Sequence, residues 1–144
     1  MMKIAPSILS ADFARLGEEI ESVKTADYLH FDVMDGVFVQ NISIGLPVLE
    51  SVRRVTGMTL DAHLMITEPH RYARRFAEAG ADVVTFHAES CSAEEASRAI
   101  LDIHDAGARA GLALKPKTPA DAVFPYLELL DMIVVMTVEP GFGG

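Results

Sequence analysis

The chain holds one cysteine, Cys91, in 144 residues. That excludes an internal disulfide framework and fits a reducing cytosol. Positive charge is scarce as well, with 12 Lys and Arg against 21 Asp and Glu and a formal net charge of −9. The lack of a basic stripe to track phosphates argues against a nucleic-acid partner. It leaves room for a small anionic substrate, which responds to local donors and not to net charge. No apolar run approaches the roughly 18 residues that suggest a membrane span, and Met1-Met2-Lys3-Ile4-Ala5-Pro6 lacks the apolar stretch of a signal peptide. A soluble, cytoplasmic protein with no membrane partner is expected. No linker or low-complexity segment divides the chain. Half of its residues are hydrophobic, enough for one domain with its own core.

What is present is a regular alternation of strand and helix patterns. Residues 3–9 form a short apolar strand candidate, and Phe13, Leu16, Ile20 and Val23 follow at helical spacing. Residues 28–34 are a strand closed by the turn pair Asp35-Gly36. After a loop, Pro47 starts a helix carrying Val48, Leu49, Val52 and Val55. Residues 60–65 are strand-like, and Pro69 opens a helix through Ala79 with Gly80 as its cap. A strand at 82–87 leads to a helix opened by the capping box of Ser92 and Glu95. Residues 110–115 make a fifth strand. Thr118-Pro119 starts a short helix in which Pro125 cannot lie deep, and 131–138 is the sixth and most hydrophobic strand.

Six strands alternating with helices predict a parallel sheet with right-handed crossovers. An open doubly wound sheet and a (β/α)8 TIM barrel both satisfy that pattern. An open sheet gathers its ligands at one reversal of strand order. Here polar residues recur near the C-terminal ends of successive strands: Ser7, His30 with Asp32, His63, His87 and Lys115. Barrels distribute their sites in that way. The expected fold is therefore α/β, a parallel (β/α)8 TIM barrel of which about six βα units are present. Residues 1–144 would form a single domain. A barrel needs about 200 residues or more, so the domain is expected to be truncated after the sixth strand.

The run Tyr28-Leu29-His30-Phe31-Asp32-Val33-Met34 carries the chemistry. Side chains two apart on a strand share a face. His30, Asp32 and Met34 therefore point one way, and Leu29, Phe31 and Val33 the other. A charge on a buried strand is costly unless it is paired or ligated. On the next strand His63 and Met65 share a face, and parallel neighbours lie about 4.8 Å apart. His30, Asp32 and His63 can thus converge on one ion. Two imidazoles and a carboxylate suit zinc, iron, manganese or cobalt better than calcium. The alternative is a hydrogen-bonded polar core. Asp61 shares the His63 face but lies deeper, as a buried carboxylate of the barrel floor. Met34, Met65 and Met136 fall at strand ends and either fill gaps in the core or line a site. Gly141-Phe142-Gly143-Gly144 follows a strand, as phosphate-cradling loops do, or is a plain turn. Lys115 has the type of a Schiff-base residue, but nothing around it requires that role.

Four segments together resemble the ribulose-phosphate 3-epimerase family. They are Ala5-Pro6-Ser7-Ile8-Leu9-Ser10-Ala11-Asp12, the run from His30 to Gly36, Asp61-Ala62-His63-Leu64-Met65, and Val135-Met136-Thr137-Val138-Glu139-Pro140-Gly141-Phe142-Gly143-Gly144. The resemblance implies a (β/α)8 barrel that interconverts D-ribulose 5-phosphate and D-xylulose 5-phosphate. It implies a divalent metal on His30, Asp32 and His63, with Asp32 also the catalytic base. It implies that Ser7 and His63 contact substrate, that Gly141, Phe142, Gly143 and Gly144 belong to the phosphate site, and that Met34, Met65 and Met136 line the reaction chamber. The family's fourth metal ligand and second acid–base aspartate lie on a seventh strand, which this sequence does not contain. Gln40 and Thr59 replace prolines common in the family, both away from the chemistry. The full-length protein is expected to act in the pentose phosphate pathway as a homo-oligomer. An allulose 6-phosphate 3-epimerase of the same fold and a non-catalytic fragment are the alternatives.

Overall fold

The structure, a computed structural model, describes residues 2–142. Its framework is a five-stranded sheet, all parallel, in the order β1-β2-β3-β4-β5. The strands are β1 (Tyr28–Met34), β2 (Thr59–Met65), β3 (Val83–His87), β4 (Arg109–Leu114) and β5 (Met132–Val135). Strand order follows chain order without reversal. That excludes the doubly wound alternative, whose order must turn back at a switch point. It leaves the barrel arrangement, of which this sheet is a part.

The outward face of each strand makes the core. Leu29, Phe31, Leu60, Leu64, Phe86 and Leu112 are fully buried there. They pack with Ile20 of α1 (Leu16–Ser22), Leu49 and Val52 of α2 (Leu46–Arg53), Phe76 of α3 (Ala73–Glu78), and Ile100 and Ile103 of α4 (Ala93–Asp105). Each such side chain removed from water contributes about 1.5–3 kcal/mol, so this layer dominates the stability of the scaffold. Helix α4 begins as its sequence requires: Ser92 Oγ accepts from the Glu95 N–H, and Glu95 Oε2 accepts from the Ser92 N–H. At the opposite end of the barrel from the strand C-termini, Arg53 clasps two connections, α2–β2 and α3–β3. It donates to Asp82 Oδ2 at 3.1 Å, to the Met58 carbonyl at 2.9 Å and to the carbonyl of Gly80 at 3.4 Å. Gly80 is left-handed at φ +111, and a Cβ there would lie 2.6 Å from Arg53 Cγ. Only glycine satisfies both conditions.

Several expected elements differ. Residues 3–9 do not form a strand. The segment runs beside β1, with the His30 N–H donating to the Pro6 carbonyl and the Tyr28 N–H to the Ile4 carbonyl, but only Ser7 bridges to it. Pro6 has no N–H to offer a ladder. Ser7 then turns the chain by capping the Leu9 N–H at the start of the 3-10 turn Ile8–Ser10. The helix expected through 69–79 is divided into a 3-10 turn, Pro69–Arg71, and α3, with Tyr72 (φ −120) between them. The short helix after Pro119 is 3-10, Ala120–Tyr126, with Pro125 one residue from its end. The last strand spans Met132–Val135 and not the full 131–138, because the chain leaves the sheet toward the turn at Pro140. Among the described residues no helix is long and apolar enough to cross a membrane.

Candidate functional site

The inward face of the sheet is polar at its centre. The β1–β2 register sets Asp32 opposite His63, His30 opposite Asp61 and Met34 opposite Met65. His30 Nε2 lies 3.3 Å from Asp32 Oδ1, and His63 Nδ1 lies 3.4 Å from the same oxygen. One donor atom from each of the three falls within 4.8 Å of the others. Two ligands each about 2.1 Å from one tetrahedral ion sit about 3.4 Å apart. The donor set and its spacing therefore fit a divalent cation.

Each of these side chains is held from behind. His30 Nδ1 is 2.8 Å from Asp61 Oδ2, with Asp61 almost wholly buried. His63 Nε2 is 2.9 Å from His87 Nε2, and His87 Nδ1 is 3.2 Å from Glu89 Oε2. Ser7 Oγ donates to Asp32 Oδ2, beside the bridge that pairs Ser7 with His30. Burial works against the His30 charge, but the carboxylates of Asp32 and Asp61 outweigh it and raise the imidazole to about 10. Burial likewise opposes ionisation of Asp32, yet His30, His63 and Ser7 hold its carboxyl well below the usual range. Burial, reinforced by His63, pushes His87 down to about 4 despite Glu89. Asp32 is thus held ionised at neutral pH beside the imidazoles of His30 and His63.

These residues open into a cavity of about 200 Å³. Ser7, His30, Asp32 and His63 form one wall, and Val134, Met136, Val138 and Phe142 another. A larger cavity of about 290 Å³ lies on the outer side of β1 and β2, against Leu46, Tyr72 and Phe76, and contains none of the imidazoles. Met34 and Met65 are placed differently from Met136. They are buried with Val39 in a small cluster beneath Leu9 and Phe38. Gly141 is left-handed at φ +112 and touches Val39, where a Cβ would come within 3.0 Å of the valine Cβ. The glycine-rich segment and the loop after β1 therefore meet above the site. Gly143 and Gly144 lie outside the described residues.

The loop after β1 is fixed by Asp35. Its Oδ1 accepts from the N–H groups of Val37 and Phe38, and its Oδ2 accepts from the N–H and hydroxyl of Thr67. This carries the Phe38 ring to 5.1 Å from His87, with Lys115 Nζ 4.1 Å from the Phe38 centroid. Lys115 is thereby a cation on an aromatic face. The pairing of Asp61 with His30, the His87–Glu89 pair and the Asp35 anchor were not assigned from the sequence. Asp61 carries a signal in sharing a face with His63, and His87 in ending a strand as the other site residues do.

Comparison with known proteins gives the lineage. Residues 3–144 match the sequence model of the ribulose-phosphate 3 epimerase family. The chain belongs to that family. It is 52% identical over 146 residues to the ribulose-phosphate 3-epimerase of Bacillus subtilis, covering 100% of this chain and 66% of that protein. It is 55% identical over 144 residues to the enzyme of the same name from Mycobacterium bovis, covering 98% and 61%. The chain therefore spans somewhat under two thirds of the length of these family members. Among solved structures, orotidine 5'-monophosphate decarboxylase from Methanocaldococcus jannaschii, complexed with the inhibitor BMP, aligns with a TM-score of 0.57 at 16% identity. That alignment covers 90% of this chain and 61% of the other. It concerns the barrel-like fold alone.

Proposed function

We propose that this chain is the metal- and substrate-binding part of a single-domain barrel that epimerises D-ribulose 5-phosphate at C3 to D-xylulose 5-phosphate through an enediolate. The observation that carries the reading is the convergence of His30, Asp32 and His63 at ligand spacing on one wall of a cavity, in a chain of this family. Those three residues would hold a divalent cation such as zinc, iron, manganese or cobalt. When bound, it would stabilise the negative charge of the enediolate as a Lewis acid.

The protein's own groups account for the rest. Asp32, ionised and tied by Ser7, is the base that takes the C3 proton from one face. Proton return on the other face needs a second acid, in the family an aspartate of a seventh strand, within the part of the relatives that this chain does not span. Ser7 and His63 contact the sugar. Gly141, Phe142, Gly143 and Gly144 hold the phosphate, which keeps C3 in register with Asp32. Met136 lines the chamber and, with the Met34 and Met65 cluster that shares Leu9 with it, keeps it apolar and poor in water. The same reading makes the complete protein a cytoplasmic homo-oligomer of the pentose phosphate pathway. The test is turnover of ketopentose phosphate by the protein encoded by the complete reading frame, before and after chelation and with each metal restored. A kcat/KM no higher for ribulose 5-phosphate than for allulose 6-phosphate would reject the pentose assignment. Full activity after exhaustive chelation would reject the metal.

A further inference from the structure

His87 and Glu89 are not needed to bind the sugar or to close the donor set, yet they are aligned behind His63. We infer that Glu89 and His87 are positioning residues that lock His63 as its Nε2–H tautomer, so that the lone pair of Nδ1 faces Asp32 and the metal position. The inference rests on the proposed metal site but concerns the protonation pattern of the chain itself.

Glu89 Oε1 is occupied, accepting from the Lys115 N–H at 2.8 Å and from the Thr118 hydroxyl. Those two donors belong to the connection after β4, so the carboxylate is anchored in place. Its Oε2 faces His87 Nδ1 at 3.2 Å. A carboxylate only accepts, so His87 Nδ1 must carry the hydrogen. A neutral His87 then has a bare Nε2. That atom is 2.9 Å from His63 Nε2. Two bare nitrogens at that distance would repel, so His63 Nε2 supplies the hydrogen. In neutral His63, Nδ1 is left bare.

The competing pattern puts the hydrogen on His63 Nδ1 and directs it at Asp32. At 3.4 Å that contact is longer than an ordinary N–H···O bond, and it would leave His63 and His87 facing each other without a proton at 2.9 Å. The favoured pattern instead leaves a bare Nδ1 facing the Asp32 carboxylate across the longer gap, a repulsion that a cation held between the two would remove. Burial strengthens the argument. His63 is 2% exposed and His87 0%, so neither ring has water to satisfy a misdirected nitrogen. Asp61 is placed in the same way behind His30 Nδ1. Partners of this kind behind metal-binding imidazoles change metal affinity by about 10- to 100-fold.

Long-range proton–nitrogen correlation spectra of the metal-free, nitrogen-15-labelled protein encoded by the complete reading frame, at pH 8, test the inference, with His63 assigned through His63→Gln. The expected pattern is hydrogen on Nε2 of His63 and on Nδ1 of His87. His87→Leu should convert His63 to a mixture of tautomers and lower zinc affinity by about 10- to 100-fold. His87→Gln, whose carbonyl accepts and whose amide donates, should restore both. Hydrogen on Nδ1 of His63 in the unaltered chain would overturn the inference, as would an unchanged His63 pattern in His87→Leu. The unaltered spectrum decides the matter even if His87→Leu does not fold. The expected tautomers in a chain that takes up no zinc would support this inference and overturn the metal reading.

Discussion

Asp61 lies directly behind His30, its Oδ2 2.8 Å from the imidazole Nδ1, while its other oxygen is buried without a partner. The pair orients His30 so that Nε2 faces Asp32 at 3.3 Å. Replacing Asp61 with Asn leaves an acceptor but removes the charge, and replacing it with Leu removes both. Zinc affinity should fall by about 10-fold in Asp61→Asn and by up to about 100-fold in Asp61→Leu, measured by calorimetric titration. Equal affinities across the three proteins would show that Asp61 is only a satisfied core carboxylate.

Asp32→Asn should abolish turnover almost completely in the complete enzyme. Proton transfer by a positioned base contributes about 10²- to 10⁴-fold, and the amide is also a poorer metal ligand. Exchange of the C3 proton with deuterated water separates the two effects. It should vanish in Asp32→Asn even at saturating metal.

The raised value of His30 has a definite consequence for pH. Its folded-state value of about 10 lies above the ordinary 6.5. The charged form is therefore favoured by folding, and that stabilisation is complete below 6.5. It is lost as pH rises from there through about 10. The melting temperature of the metal-free complete protein should decline over this window, and Asp61→Leu should flatten the decline. The same shift means that metal uptake near neutral pH displaces a proton from His30. Calorimetry in buffers of different ionisation enthalpy should register that release, and affinity should climb with pH below about 10.

Arg53 ties the α2 helix to the start of β2 and β3 through Met58, Gly80 and Asp82. Arg53→Ala should cost about 2 kcal/mol, since several hydrogen bonds from one charged group are lost but the site is partly open to water. Urea unfolding measures it. Arg53→Lys should recover only part, because an ammonium lacks the planar fork that reaches acceptors on both connections from two nitrogens.

On the outer side of β5, Ile133 is 40% and Val135 70% exposed. Among the described residues its far edge has no strand partner. Edges of this kind pair with other chains. The isolated 144-residue polypeptide should therefore associate or aggregate, and Val135→Lys should reduce this. Sedimentation showing a compact monomer at tens of micromolar would count against the prediction.

Local pattern was enough for much of this protein. The bounds of β1, the capping box of α4, and the alternation that puts His30, Asp32 and His63 on the inward face all follow from the period of two or 3.6 along the backbone. The outward Leu29, Phe31 and Leu64 follow from the same periods, because covalent geometry repeats them wherever a strand or helix forms. The expected strand at 3–9 fails for an equally local reason, the missing N–H of Pro6 and the turn capped by Ser7. Other relationships depend on distances along the chain that no local period encodes. Asp61 behind His30 depends on the register of two strands joined through a helix. Phe38 over His87 depends on Thr67 gripping Asp35 from another loop. Glu89 is linked to His63 through His87, while Lys115 and Thr118 of the next unit hold its other oxygen. Sequence determined which face each side chain of the site would take. Tertiary structure decided which nitrogen of each imidazole is turned inward, because that choice rests on partners supplied by neighbouring strands.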